Sequence, residues 1–187
     1  MNLTNLAKKF FKTIDQRIGP FDRPLNFRPF PFDAGGALNF LTIGAGKGKI
    51  ASYVSWDLFG NKMQKRGSLG RYELLVSCDC EQWVLNVITN IARQSLTETF
   101  EPGDTLNIQP WAGPVDTIQG IIFEEALKIN LRNGFFKERC GLLRCIGVTI
   151  PELDYAVKFG VPSLIERLKI AGIYPHTFSN RKSVDLT

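Results

Sequence analysis

The chain has 187 residues, which fits one folded domain and is long enough to bury a hydrophobic core without disulfides or metals. Hydrophobic residues make up 44% and charged residues 22%, close to globular averages, so the composition excludes a disordered or fibrous chain. The formal net charge of +5 is concentrated in residues 1–71, where 12 Lys and Arg stand against 4 Asp, and such a basic surface suits an acidic partner or phosphate.

The N-terminal segment is predicted to form an amphipathic helix followed by an extended arm. Gly19 and Pro20 end the helical pattern. In residues 21–32 prolines alternate with phenylalanines, which favours an extended chain that lies against the core as an ordered arm. The apolar residues that recur at helical spacing are Leu3, Leu6, Phe10, Ile14 and Ile18.

The middle of the chain carries strand patterns on both sides of one helix. Asp79 and Gln82 are predicted to cap this helix, whose apolar stripe begins at Trp83. Asn133 and Gly134 indicate a turn before the last predicted strand. Residues rich in β-branched and aromatic side chains predict strands at 38–43, 50–58, 72–78, 106–108, 120–124 and 141–149.

Two consecutive helices are predicted towards the C-terminal end. A capping box at Thr149 and Glu152 starts the first, which ends near Gly160. The second begins at Val161, and Gly172 marks its end. This order of elements predicts an α+β fold: a single domain with a mixed or antiparallel β-sheet packed by helices.

Glycines and lysines between the first strands resemble a phosphate-binding loop at first sight. Lys49 is followed by Ile50, where a P-loop has Ser or Thr to hold magnesium, and no helix pattern follows. A hairpin turn is therefore the better interpretation, and nucleic-acid binding is not expected. As an alternative we keep phosphate or nucleic-acid binding at the basic turn residues Lys47, Lys49, Lys62 and Lys65.

Four cysteines and one histidine limit the catalytic chemistry that the chain can support. The cysteines lack the paired Cys-x-x-Cys knuckles of structural zinc sites, so we expect reduced, mostly buried thiols and no metal or other cofactor. His176 is expected at the surface of a polar tail segment. No catalytic residue is assigned, and a small enzyme that combines Cys78 or Cys80 with Glu73 or His176 is kept as an alternative.

The sequence shows no targeting signal. Its apolar runs fall short of the roughly 18 residues that a membrane-spanning helix needs. The N-terminus also lacks the short apolar run and small-residue cleavage site of a signal peptide. We therefore expect a cytoplasmic protein that does not contact a membrane.

Glu73 and Trp111 have surroundings that favour a role in recognition. Glu73 lies among apolar residues of a predicted strand, so its carboxylate must face water, pair with a cation such as Arg71 or another arginine, or be strained, and a role in recognition is the functional alternative. Trp111 lies in a loop restricted by prolines, where an aromatic side chain makes a good binding anchor or packs over the sheet edge. The other two tryptophans lie on periodic apolar faces and are assigned to the core.

Several segments, taken in chain order, resemble the suppressor-of-fused family. Residues 42–44 are similar to the family's Thr-x-Gly step, and residues 70–74 to its Arg-Tyr/Phe-Glu-Leu strand. Residues 100–105 resemble the loop before its next strand. Residues 146–153 resemble its Ile-Thr-x-x-Glu-Leu region, although a proline transposes the pattern there. Residues 181–184 resemble its closing Arg-x-Ser-Val motif.

The resemblance implies binding without catalysis. Animal members grip a short peptide of a transcription factor between this domain and a second one, whereas stand-alone bacterial members resemble immunity proteins that neutralise a polymorphic toxin. The resemblance divides the chain into residues 1–24, the helix and arm, and residues 25–187, the suppressor-of-fused-like domain. The implied function is that of a bacterial immunity-type or regulatory protein that binds a protein partner. The candidate contact residues are Arg71, Glu73, Trp111 and Arg181.

Overall fold

The computed structural model describes residues 3–22, 24–25, 35–36, 38–46, 50–112, 117–133 and 136–187. The described residues form helices and strands in the α+β order that the sequence predicts. The helices are α1 (Leu3–Arg17), α2 (Glu81–Gln94), α3 (Ile150–Phe159) and α4 (Val161–Ile170). The strands are β1 (Pro24–Leu25), β2 (Phe40–Ile43), β3 (Ala51–Ser55), β4 (Arg71–Cys78), β5 (Thr105–Asn107), β6 (Gly120–Asn133), β7 (Phe136–Val148) and β8 (His176–Thr177).

One sheet joins these strands. Its order is β1-β2-β3-β4-β7-β6-β5, and β8 pairs with the last residues of β4. β4 runs parallel to β7 and to β8, whereas the other pairs are antiparallel. The predicted mixed sheet is therefore confirmed.

Alternate residues of the central strands point to opposite faces of the sheet and meet different helices. Leu74 and Val76 pack in the cluster that contains α2, whereas Leu75 packs in the cluster that contains α1. On the same face of the sheet as α1, Ile122 and Ile146 pack against α3 and α4. The sheet therefore lies between α2 on one face and the other three helices on the opposite face.

Helix α1 confirms the predicted apolar stripe. Leu6, Phe10 and Ile14 have no exposed surface, and burial of each such side chain stabilises the fold by about 1.5–3 kcal/mol. Phe10 stacks on Phe59 with 4.7 Å between ring centroids. Most of the predicted arm, residues 26–34, lies outside the described residues.

The hairpin of β6 and β7 is much longer than predicted. The predicted strands at 120–124 and 141–149 cover only its inner half, and the pairing continues to Asn133 and Phe136. In the outer half, exposed Lys128 and Asn130 alternate with partly buried Ile129. Such half-polar alternation gives a weaker strand signal than an apolar run.

Helix α2 begins differently from the prediction. Its N-cap residue is Cys80, and no side chain caps the helix there. The predicted cap at Asp79 and Gln82 is wrong, because the Asp79 carboxylate instead accepts a hydrogen bond of 2.9 Å from the backbone N–H of Ser179. A contact 100 residues away along the chain therefore takes the place of the local one.

The boundaries of α3 and α4 agree with the sequence. The Glu152 carboxylate accepts a hydrogen bond of 2.9 Å from the backbone N–H of Thr149, and the capping box is complete. At the end of α4, Gly172 has φ +68°, and the N–H groups of Gly172 and Ile173 donate to the carbonyls of Lys169 and Leu168. These are the two bonds of a Schellman motif, which needs a left-handed residue.

Candidate protein-interaction site

Glu73 is buried inside the molecule, where it holds the chain that follows β3. Its carboxylate accepts hydrogen bonds from the Ser55 hydroxyl, from the N–H of Phe59 at 2.6 Å and from the N–H of Leu58 at 3.3 Å. Pairing of Glu73 with Arg71, one of the alternatives left open by the sequence, does not occur, because Arg71 pairs with Glu138. With no exposed surface, Glu73 acts on the outside only by positioning residues 55–59.

Burial raises the pKa of Glu73 to about 8, against the opposing effect of the hydrogen bonds from Ser55 and Phe59. Desolvation penalises a charged carboxylate more than these donors compensate for it. The carboxyl group therefore changes its protonation state at the upper edge of the neutral pH range.

Arg71 holds the same segment from the other side. Its guanidinium donates to the carbonyl of Phe59 at 3.2 Å and forms an ion pair with Glu138 at 3.2 Å. The Arg71 side chain is 11% exposed. The Arg-Tyr-Glu-Leu motif thus fixes the connection between β3 and β4, and neither charged residue presents much surface to a partner.

Arg181 is also committed to the fold. Its guanidinium donates to both carboxylate oxygens of Glu152, at 2.5 and 2.7 Å, and Val184 donates its backbone N–H to the same carboxylate at 2.8 Å. Burial raises the pKa of Glu152, but the hydrogen bonds from Arg181, Thr149 and Val184 outweigh it, so the net pKa is lowered. This pair fastens the C-terminal segment to α3.

Trp111 is half-buried, so one part of its side chain packs against the protein and another part faces solvent. It lies against the hydrophobic cluster around α2 and lines a groove of about 420 Å³ beside Leu85 and Arg93. Trp56 differs from its prediction as a core residue, because it remains partly exposed next to α1. Trp83, by contrast, is 4% exposed and belongs to the core as predicted.

The basic turn residues are only partly described. Lys62 and Lys65 are exposed in the connection between β3 and β4. Lys47 and Lys49 lie outside the described residues. The phosphate alternative therefore has two exposed lysines as its structural basis.

The cysteines do not form a metal cluster within the described ranges. No group of three or more His, Cys, Asp and Glu residues is arranged there to hold a metal ion. Burial raises the pKa of Cys78 and of Cys140 to about 12, which disfavours the thiolate that a nucleophile needs. The expectation of a surface His176 in a polar tail is wrong, since this residue is partly buried in β8.

The outer edge of β5 is an open edge of the described sheet. β5 is the last strand of the sheet order, and β6 is its one described neighbour. Hydrogen bonds join Ile108 to Gln119 and Asp104 to Phe123 across this pair. In an antiparallel pair, successive residues direct their backbone N–H and C=O groups alternately towards and away from the neighbouring strand. Thr105 and Asn107 therefore direct these groups away from β6.

A groove of about 550 Å³ runs along this edge and reaches α3. Leu106 and Val157 supply apolar surface, and the Val157 side chain is 70% exposed. Glu98 and Asp104 supply exposed carboxylates. We name this surface, which is lined by residues 98–100, 103–106, 156–157 and 160, the β5 edge groove. The sequence indicated a strand edge as a candidate interface but not this groove; Val157, which lies off the buried side of α3, is a residue that could have indicated it.

Among the described residues no helix is both long and apolar enough to cross a membrane.

No curated protein sequence matches the chain significantly. Solved structures that share its fold include the following three. The structure of a Sufu–Fu complex superposes with a TM-score of 0.69 at 13% identity, covering 97% of this chain and 91% of that chain.

The other two comparisons concern an insect and a bacterial protein. Drosophila Suppressor of Fused gives a TM-score of 0.68 at 13% identity over 96% of this chain, which spans 50% of that protein's length. A SUFU homologue from Neisseria gonorrhoeae FA 1090 gives 0.66 at 15% identity and covers 100% of this chain and 99% of that chain. The family profile described as Suppressor of fused protein (SUFU) matches residues 37–182. Because this match spans more than half of the sequence, the chain belongs to the suppressor of fused family.

Proposed function

We propose that the chain is a non-enzymatic, cytoplasmic domain that binds a protein partner and thereby neutralises or regulates it, as an immunity protein neutralises a toxin. The observation that carries this proposal is membership of a protein-interaction family across residues 37–182. One of the similar structures is a complex of Sufu with Fu, and the bacterial homologue matches this chain over nearly its whole length.

The β5 edge groove supports a contact by strand addition. An exposed edge strand offers backbone donors and acceptors to an extended segment of another chain, and neighbouring apolar side chains select its residues. Thr105 and Asn107 supply the backbone groups, and Val157 and Leu106 supply the apolar contacts.

The charge of the groove favours a basic segment. Glu98 and Asp104 are exposed at its rim, and rim carboxylates steer a cationic partner towards the binding surface. Of the four contact candidates named from sequence, Trp111 retains partly exposed surface for direct contact, whereas the other three act by positioning backbone segments.

Site-specific photocrosslinking in the native host tests the proposal. A benzoylphenylalanine at Val157 is expected to give a covalent adduct with one protein, and Glu98→Lys is expected to reduce its yield. Ile170, on α4 and 81% exposed, is the matched control position and should give no adduct. Equal adducts at both positions contradict the β5 edge groove as the contact.

The toxin role is tested with the captured protein. Expression of that protein alone should arrest growth, and co-expression of this chain should restore growth. Normal growth in both cases contradicts neutralisation and leaves regulation as the role of the binding. If no exposed position crosslinks to a protein, the binding function itself is contradicted.

A further inference from the structure

A second concave surface lies between α1 and the first strands. It is a groove of about 500 Å³, and it is a different surface from the β5 edge groove. Its base is almost entirely apolar. We name it the α1 groove, and its lining includes Lys8, Phe11, Lys12, Asp15, Phe21 and Trp56.

We propose that the α1 groove binds a short segment of a partner protein in which aromatic or aliphatic side chains are flanked by carboxylates. This inference goes beyond the proposed function, because it assigns a separate surface and a partner segment of the opposite charge.

The aromatic side chains supply the apolar half of the recognition. Phe11, Phe21 and Trp56 are each half-buried, so their rings are anchored by the fold and still present a face to the groove. Phe11 and Phe21 meet edge to face with 6.4 Å between centroids. Fixed aromatic surfaces that lose little entropy on binding dominate the affinity of protein interfaces.

The wall of the groove is held in place from behind. The stripe residues Leu6, Phe10 and Ile14 are fully buried, and Phe10 stacks on Phe59. The Lys9 ammonium group donates to the carbonyl of Arg132 at 3.2 Å. A helix that lies in a membrane surface needs its apolar stripe free to insert. Since this stripe is committed to the core, a concave protein-binding groove fits the surface better than a lipid contact.

Two lysines give the rim its charge. Lys8 and Lys12 are exposed and lie one turn apart on α1, so both stand on the same side of the groove. The Asp15 carboxylate accepts a hydrogen bond of 2.9 Å from the backbone N–H of Phe21 and so serves the fold. The rim therefore complements Asp or Glu in the bound segment.

The described residues that follow β1 in the chain, Gly35 and Gly36, contact the helix on the opposite face of the sheet. Gly35 and Gly36 accept hydrogen bonds of 3.2 and 2.8 Å from Arg93 of α2, which lies on the opposite face of the sheet. With the charge of the rim, this favours a separate protein over the chain's own residues as the occupant.

Selection from a phage library of random short peptides on the intact chain tests the proposal. The selected peptides are expected to combine aromatic or leucine residues with Asp or Glu. Fluorescence polarisation of the synthetic peptides should show about tenfold weaker binding to the Lys8→Glu/Lys12→Glu variant. Trp56→Ala should weaken binding by roughly tenfold or more.

Lys62→Glu/Lys65→Glu is the matched control, because it makes the same double charge reversal at two exposed lysines outside the groove, and its affinity should stay within about twofold of the wild type. Circular dichroism confirms that each variant is folded. Glu98→Lys should leave peptide binding unchanged, which separates this site from the β5 edge groove.

Five results would overturn the proposal. Recovery of no peptide, or of peptides that bind all variants equally, contradicts a site in the α1 groove. Sedimentation that shows a dimer lost in Lys8→Glu/Lys12→Glu assigns the groove to a second copy. Binding of the chain to phosphatidylglycerol vesicles through the same lysines assigns it to lipid. Tighter peptide binding on deletion of residues 26–34 assigns it to the chain's own segment.

Discussion

Replacement of Glu73 by glutamine removes an ionisable group from the interior without changing its size. In the wild type, the pKa of Glu73 is raised by burial from 4.5 to about 8. Between these two values the native state keeps a proton that the unfolded state has lost, so the free energy of unfolding falls as pH rises. The loss is about 1.4 kcal/mol per pH unit and totals about 4 to 5 kcal/mol, levelling off above about pH 8.

The glutamine variant lacks this pH dependence but has a cost of its own. The amide nitrogen of glutamine cannot accept a hydrogen bond, whereas both oxygens of the protonated carboxyl group of Glu73 can, so Glu73→Gln should be about 1 to 3 kcal/mol less stable than the wild type near pH 5. At higher pH the wild type loses its advantage. The two stability curves should therefore cross, and the variant should be the more stable protein near pH 9.

Urea unfolding followed by tryptophan fluorescence, at intervals between about pH 5 and 9, measures both curves. The core residue Trp83 reports on global unfolding. Glu98→Gln, which changes an exposed carboxylate, is the control and should follow the wild type at every pH. A stability difference between wild type and Glu73→Gln that stays constant with pH would refute the reasoning.

Three further predictions concern stability and thiol reactivity. Arg181→Ala leaves a buried carboxylate unpaired and should cost about 3 to 5 kcal/mol in the free energy of unfolding, whereas Lys182→Ala, at an exposed neighbour, should cost less than about 0.5 kcal/mol. Gly70→Ala places a Cβ against the β7 backbone at φ +73° and should lower the melting temperature by about 10 °C or more, while Gly60→Ala, which meets open space, should shift it by only a few degrees. Ellman's reagent should modify only Cys80 in the native protein and all four thiols after unfolding in guanidinium; rapid native reaction of more than one thiol would contradict the burial of the others.

Local sequence signals determined the elements whose stability depends on near neighbours. The stripe of α1, the strand character of β4 and the capping box of α3 follow from residue spacing within one element, and all three are present. The end of α4 at Gly172 is another such case, because a left-handed turn depends on one residue type. The ordered Arg-Tyr-Glu-Leu and Arg-x-Ser-Val motifs also indicated the family before any tertiary contact was known.

Only the tertiary structure decided what the polar residues of those motifs do. Glu73 binds the segment after β3, Arg71 pairs with a glutamate 67 positions away, and Arg181 pairs with Glu152 across 29 positions. Only the tertiary structure also showed that β7 and β8 pair with β4, and that grooves lie at β5 and at α1. Residue spacing fixes which side chains share a face of one element. Which elements meet depends on how all apolar faces are buried together, and no short segment contains that information.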